Sequence, residues 1–188
     1  MSSPIWVEDA TRSDRDLALV VGNFDGAHRG HAEVVRQARA RAAAAGLELA
    51  VLTFSPHPGE VLGKGSPALL TTMDRRAELL AREGVARLYV QPFDLAFAAL
   101  SPRDFAARLS TVLRARSVMV GRGFRFGARR AGDVATLEAL GRELGFAAAE
   151  CAIVADEAGP VSSTRVRAAV ATGDVREAER LLGRRHSF

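Results

Sequence analysis

Two histidines three residues apart, His28 and His31, stand where a helix-like segment follows a short apolar run. They close the sequence Gly22-Asn23-Phe24-Asp25-Gly26-Ala27-His28-Arg29-Gly30-His31. At that spacing two side chains lie on nearly the same side of a helix, one turn apart. Gly22, Gly26 and Gly30 let the backbone come close to a ligand, and the unpaired N–H groups of a helix N-terminus favour an anion. Imidazole donors beside a helix N-terminus make a phosphate-binding site. Zinc is disfavoured: a closed site needs further Cys, His or acidic ligands, and the other histidines are only His57 and His186.

Three later loops add to this chemistry. In Thr53-Phe54-Ser55-Pro56-His57-Pro58, two prolines fix the backbone on either side of His57. The result is a stiff edge suited to a planar ligand, although a tight strand-to-helix turn explains it equally well. In Val120-Gly121-Arg122-Gly123-Phe124-Arg125-Phe126-Gly127, glycines permit close backbone approach beside an aromatic shelf. Taken alone, Phe124 and Phe126 fit a core somewhat better. In Pro160-Val161-Ser162-Ser163-Thr164-Arg165-Val166-Arg167, N-capping accounts for one hydroxyl. It does not account for Ser162, Ser163 and Thr164 together, and Arg165 supplies a bidentate fork for a leaving pyrophosphate.

These loops need a scaffold. Apolar runs at 18–21, 49–54, 87–90, 117–120 and 148–154 read as buried strands, and 30–45, 73–83, 102–113 and 133–144 carry helical spacing. Strand and helix in rotation predict an α/β, doubly wound, mainly parallel five-stranded sheet. Ligands in such sheets bind beyond the carboxyl ends of the strands, where all four loops fall. Residues 59–72, with Gly63, Gly65 and Pro67, are the best candidate for a mobile flap.

Composition narrows the field. The 188 residues suit one globular domain, and the net charge of +4 is almost wholly arginine, Lys64 being the only lysine. No aromatic-basic interleaving marks a nucleic-acid binder, and no leader or membrane span is legible. The lone Cys151 forms no intramolecular disulfide and fits a reducing cytoplasm, as a buried side chain.

At these loops the chain resembles the adenylyltransferase module of bacterial bifunctional riboflavin kinase/FAD synthetase and the wider HxGH nucleotidyltransferase superfamily. The motifs are G-N-F-D-G-A-H-R-G-H at 22–31, T-F-S-P-H-P at 53–58, V-G-R-G-F-R-F-G at 120–127 and V-S-S-T-R-V-R at 161–167. The resemblance spans about residues 17–185. It implies a Rossmann-like fold and a single nucleotidyltransferase domain over 1–188; the sequence departs from the family after residues 182–188, where the family would continue into a riboflavin kinase domain, expected to be absent here. It departs at Gly123, where family members usually carry Asp or Asn.

The resemblance further implies transfer of AMP from ATP to FMN by direct attack on the α-phosphorus, with pyrophosphate and Mg2+ but no covalent intermediate. His28, His31 and Arg165 would then be catalytic. Gly22, Asn23, Phe24, Asp25, Gly26, Gly121, Ser162, Ser163, Thr164 and Arg167 would bind nucleotide. Phe54, Ser55, Pro56, His57, Pro58, Gly123, Phe124, Arg125 and Phe126 would bind the acceptor. The alternatives are a sister enzyme moving AMP or CMP to another phosphate or phosphonate, and a non-catalytic nucleotide-binding module.

Overall fold

A computed structural model describes residues 3–8, 12–152 and 154–185. Ile153 of the last predicted strand, and His186, lie outside the described residues.

The sheet is parallel throughout and six-stranded, in the order β1-β4-β3-β2-β5-β6. Its strands are β1 (Ile5–Trp6), β2 (Leu17–Val21), β3 (Glu48–Ser55), β4 (Arg87–Pro92), β5 (Ala115–Val120) and β6 (Ala147–Glu150). The expected five becomes six because β1, paired to β4, is two residues long and too short to show a period. The last expected strand is also shorter. Its pairing with β5 ends at Glu150, and a small antiparallel hairpin, β7 (Ala155–Asp156) and β8 (Gly159–Pro160), follows.

Alternation along β2 explains the layering. Leu17, Leu19 and Val21 pack to one face with Phe105, Leu109 and Leu137, which come from α5 (Pro102–Thr111) and α6 (Val134–Leu144). Ala18 and Val20 pack to the other with Val35, Ala38, Ala77 and Leu80, from α1 (Arg29–Ala45) and α3 (Met73–Arg82). Every β2 residue is buried, as expected of a central parallel strand. The helices begin where side chains can cap them: Thr72, Ser101 and Asp133 each accept the N–H three residues on, and Pro102 occupies the first turn of α5.

Two further helices, α7 (Ser163–Ala171) and α8 (Val175–Leu182), form a smaller cluster in which Val166, Leu181 and Leu182 meet Leu70 and Val161. Helix α7 begins at Ser163, so the hydroxyl run lies on its first turn. Between β3 and α3 lie the one-turn helix α2 (Pro58–Val61), which takes up the start of the expected flap, and the irregular residues 62–72; α4 (Leu95–Ala98) follows β4. The chain steps from β2 outward to β3 and β4, then returns to the far side of β2 as β5. The strand order therefore reverses beside β2, and the loops after β2 and β5 flank the crevice where such sheets take ligands.

Candidate active site

A cavity of about 760 Å³ opens at that crevice, within the range of small-molecule sites. The loop after β2 contributes Gly22, Asn23, Phe24 and His31; the segment after β3 contributes Phe54, His57 and Pro58; the loop after β5 contributes Gly121, Gly123, Phe124, Arg125 and Phe126. Ser55 and Pro56 do not line it. Phe126 is both core and lining, which resolves the two readings of that side chain in favour of both.

The histidine pair is the chemical centre. The two rings stack, with centroids 3.6 Å apart and planes 16° from parallel. His28 caps α1: its Nδ1 accepts from the His31 backbone N–H at 3.3 Å. A neutral imidazole whose Nδ1 accepts carries its proton on Nε2. That Nε2, and His31 Nδ1, are buried without a hydrogen-bond partner. Burial first, and then the Arg184 charge, push the His28 pKa down to about 4. His31 falls well below its ordinary value through burial, the His28 ring and Arg76. At neutral pH both rings are thus uncharged, and His28 holds out an N–H with nothing to receive it. Unmet buried donors are costly, so such a group is suited to an incoming acceptor.

Gly30 explains the close ring placement. A Cβ there would lie 3.0 Å from two His28 ring atoms and 3.0 Å from the Val161 carbonyl. We expect Gly30→Ala to fold but to displace His28, lowering kcat by about tenfold or more while leaving most of the stability intact. Steady-state kinetics beside thermal unfolding would check this, and unchanged kcat would contradict it.

Behind the pair lies a buried charge network. Asp25, 1% exposed, accepts from the backbone of Leu70 and Thr71, from the Thr71 hydroxyl, from Arg76 at 3.0 Å and from Arg167 at 2.6 Å. Burial would raise its pKa, but the Leu70 N–H and the two guanidiniums outweigh that and hold it below the usual carboxylate range. Arg76 also donates to the Asn23 carbonyl and the Thr53 hydroxyl, and Arg167 to the Ala68 carbonyl. Asp25 thereby ties the histidine loop to residues 70–71 before α3 and to α7. Arg184, half-buried, donates to the carbonyls of Gly26 and Ala27. Among the described residues these three arginines have one carboxylate, Asp25, between them, which leaves positive potential behind the loop.

The expected nucleotide residues divide accordingly. Asp25 and Gly26 shape the loop from behind the cavity. The Ser163 hydroxyl donates to the Asp25 carbonyl, Ser162 caps α7, and Thr164 is exposed. None of Ser162, Ser163, Thr164, Arg165 and Arg167 lines the cavity itself; Arg165 is held by Asp156 at 2.9 Å and Glu177 at 3.0 Å, and donates to the Gly159 and Pro160 carbonyls. Residues two apart on a helix point to different sides, so Arg167 faces Asp25 while Arg165 faces the hairpin and α8.

Sequence reasoning missed much of the aromatic wall. Phe54 meets Phe93 and Phe97, Phe97 meets Phe105, Phe105 meets Phe126, and Phe126 stacks on Phe124. Phe93 and Phe97 follow β4, the one long strand whose trailing loop carried no motif. Their position at a strand end was the available signal. His57 stands between wall and histidine loop. Its Nδ1 accepts from the Gly59 N–H, and its Nε2 lies 3.1 Å from the Asn23 side-chain amide.

The FAD synthetase family matches residues 10–165. The bifunctional riboflavin kinase/FMN adenylyltransferase of Haemophilus influenzae is 34% identical over 180 residues, 95% of this chain and 58% of that protein. Its Escherichia coli K12 counterpart is 37% identical over 172 residues, 90% of this chain and 54% of that protein. This chain therefore spans little more than half the length of these relatives. A solved structure described as a macrolide-efflux protein of Streptococcus pneumoniae superposes with a TM-score of 0.85 at 30% identity, over 96% of this chain and 60% of that one. No described helix here is long and apolar enough to cross a membrane. By its matched residues, its doubly wound sheet and the loops gathered at the strand reversal, the chain belongs to the FAD synthetase family.

Proposed function

We propose that the chain transfers AMP from ATP to FMN, forming FAD and pyrophosphate. The observation that carries this reading is that one cavity is lined both by the His31 ring, backed by the His28 donor, and by the phenylalanine wall. A triphosphate suits the first, and a flat tricyclic ring suits the second. An FMN phosphate oxygen attacks the α-phosphorus, the bond from that phosphorus to the bridging oxygen of pyrophosphate breaks, and no protein nucleophile is required. His28 and His31 then act as neutral donors to charge that develops on the α-phosphate, and the loop fixes their position. Of the two α7 arginines, Arg167 lies nearer the histidine loop. We therefore assign it, with Ser163, to the outgoing phosphates in place of Arg165, whose role is to fasten the hairpin to α8.

Among the described residues no three His, Cys, Asp or Glu side chains gather as a metal site, and Asp25 is committed to arginines. The chain thus fits Mg2+ carried on the nucleotide phosphates, where it would offset their charge. The free, buried Cys151 supports a reducing, cytoplasmic setting. Pyrophosphate release measured across ATP, CTP, FMN and other phosphate acceptors would test the reading. We expect ATP with FMN to lead; a preference for CTP or another acceptor would replace it with a sister transfer, and no release would leave only a binding module.

Gly123 tunes the acceptor side. It lies at φ 72°, and a Cβ added there would meet nothing within 4 Å. A side chain therefore has room but must accept a left-handed backbone, which Asn tolerates best. The Glu150 carboxylate approaches its N–H at 3.4 Å. Gly123→Asn should therefore raise kcat/KM for FMN about tenfold by restoring a polar contact, and Gly123→Asp should gain less because it faces Glu150. Gly123→Ala controls for backbone strain; equal effects of Asn and Ala would contradict the polar contact.

A further inference from the structure

The loop that presents His28 is bent against the ordinary preferences of its residues. Phe24, Gly26 and Ala27 have φ of 51°, 83° and 40°, and the two that are not glycine would each relax by leaving the left-handed region. The peptide groups on either side of Ala27 end in the carbonyls of Gly26 and Ala27. One guanidinium bridges both: Arg184 Nη2 lies 2.6 Å from the Gly26 oxygen and Nη1 lies 2.9 Å from the Ala27 oxygen. Helix α8 delivers this side chain. Its last turn packs Leu181 and Leu182 into the small cluster, and Gly183 turns the chain at φ 72° so that residue 184 reaches the loop. Two parallel donors from a planar fork set the angle between those carbonyls in a way a lysine cannot.

We propose that Arg184 is a positioning residue: it holds the left-handed turn at Ala27, and so fixes the His28 and His31 rings for the transfer proposed above. Its charge has a second consequence. No described carboxylate pairs with it, and the charges of Arg75 and Arg82 of α3 act on it. The groups facing His28 are Arg184, Asp25, Arg167 and the His31 ring. Of these, Arg184 is the largest charge opposing protonation, so it helps keep His28 a neutral donor.

The test uses Arg184→Ala and Arg184→Lys in the full chain, with three readouts. The first is the His28 titration midpoint by NMR without substrate, the second is the split of kcat against KM with ATP and FMN, and the third is the unfolding temperature. We expect Arg184→Ala to raise the His28 midpoint from about 4 part of the way towards its ordinary value, burial still holding it low, and to lower kcat about tenfold to a hundredfold, with KM for ATP changed less. Arg184→Lys should leave the midpoint low yet still lower kcat, because charge is kept and the fork is lost. A folded Ala variant with wild-type midpoint and wild-type kcat would overturn the proposal. If the Ala variant does not fold, wild-type kcat in the Lys variant does so instead. The kcat arm rests on FMN adenylylation, whereas the midpoint does not. A wild-type protein that makes no FAD therefore counts against that reading alone; the substrate-free titration then decides whether Arg184 acts on His28, an unchanged midpoint in a folded Ala variant counting against it.

Discussion

Replacing His28 or His31 by alanine is expected to lower kcat by about a hundredfold to a thousandfold with KM for ATP changed by only a few-fold. The size follows from the loss of one preorganised donor to developing charge, typically about 2.7–4 kcal/mol. The direction follows from geometry. Both rings are neutral, stacked at 3.6 Å, and carry buried nitrogens without partners, so they are prepared before substrate arrives. A donor whose main partner is transition-state charge affects turnover more than ground-state binding. The stack also makes the two variants unequal to a simple sum: removing either ring frees the other to tilt, so the double variant should lose little more than the worse single one. Steady-state kinetics with nucleotide binding measured separately would check this. Unchanged kcat in both single variants would contradict the assignment of the pair.

Asp25→Ala is expected to have the largest effect on stability. The carboxylate is 1% exposed and receives Arg76, itself 3% exposed, together with Arg167 and two backbone N–H groups. Removing it leaves a buried guanidinium without its counter-charge, which typically costs about 3–5 kcal/mol. For a chain of this size that corresponds to a fall of roughly 6–20 °C in Tm. Asp25→Asn keeps an acceptor and the shape, so it should fall between. The pH dependence has a definite sign. Asp25 has a lowered folded pKa, so its contribution is complete above its unfolded value of about 3.9 and is lost as pH falls below it. His28 is buried neutral, so its contribution is lost earlier, as pH falls from its unfolded value of about 6.5 towards about 4. Calorimetry across that range should show wild-type Tm falling in both windows, and the Asp25→Asn variant falling less in the lower one, where the other arginine-paired carboxylates still titrate. A Tm for Asp25→Ala within about 2 °C of wild type would contradict the network's role.

Much of this was legible in the sequence because it is written in local patterns. The rotation of apolar runs with amphipathic segments pointed to the doubly wound sheet, since each period reports one element's own burial. Glycine, proline and histidine at strand ends marked three of the loops that line the cavity. What escaped depends on long-range placement. Strand β1 is paired only through its partner β4. Phe93 and Phe97 have the composition of core residues, and only the fold sets them beside Phe54. Arg76 lies on a helix whose other charges face solvent, so nothing in its neighbourhood predicts a buried ion pair with a residue 51 positions away. Arg165 and Arg167 stand two apart on α7, and spacing alone does not say which side of that helix meets the histidine loop.

Whether this cavity joins an FMN phosphate to the α-phosphorus of ATP is decided most directly by an isotope experiment. FMN bearing oxygen-18 in its phosphate is incubated with ATP, Mg2+ and the protein, and the products are read by mass spectrometry. The proposed transfer predicts FAD that retains the label and an equal amount of unlabelled pyrophosphate, because the acceptor oxygen forms the new bond and the pyrophosphate oxygens all come from ATP. Labelled pyrophosphate, or ATP consumed without FAD, would contradict it.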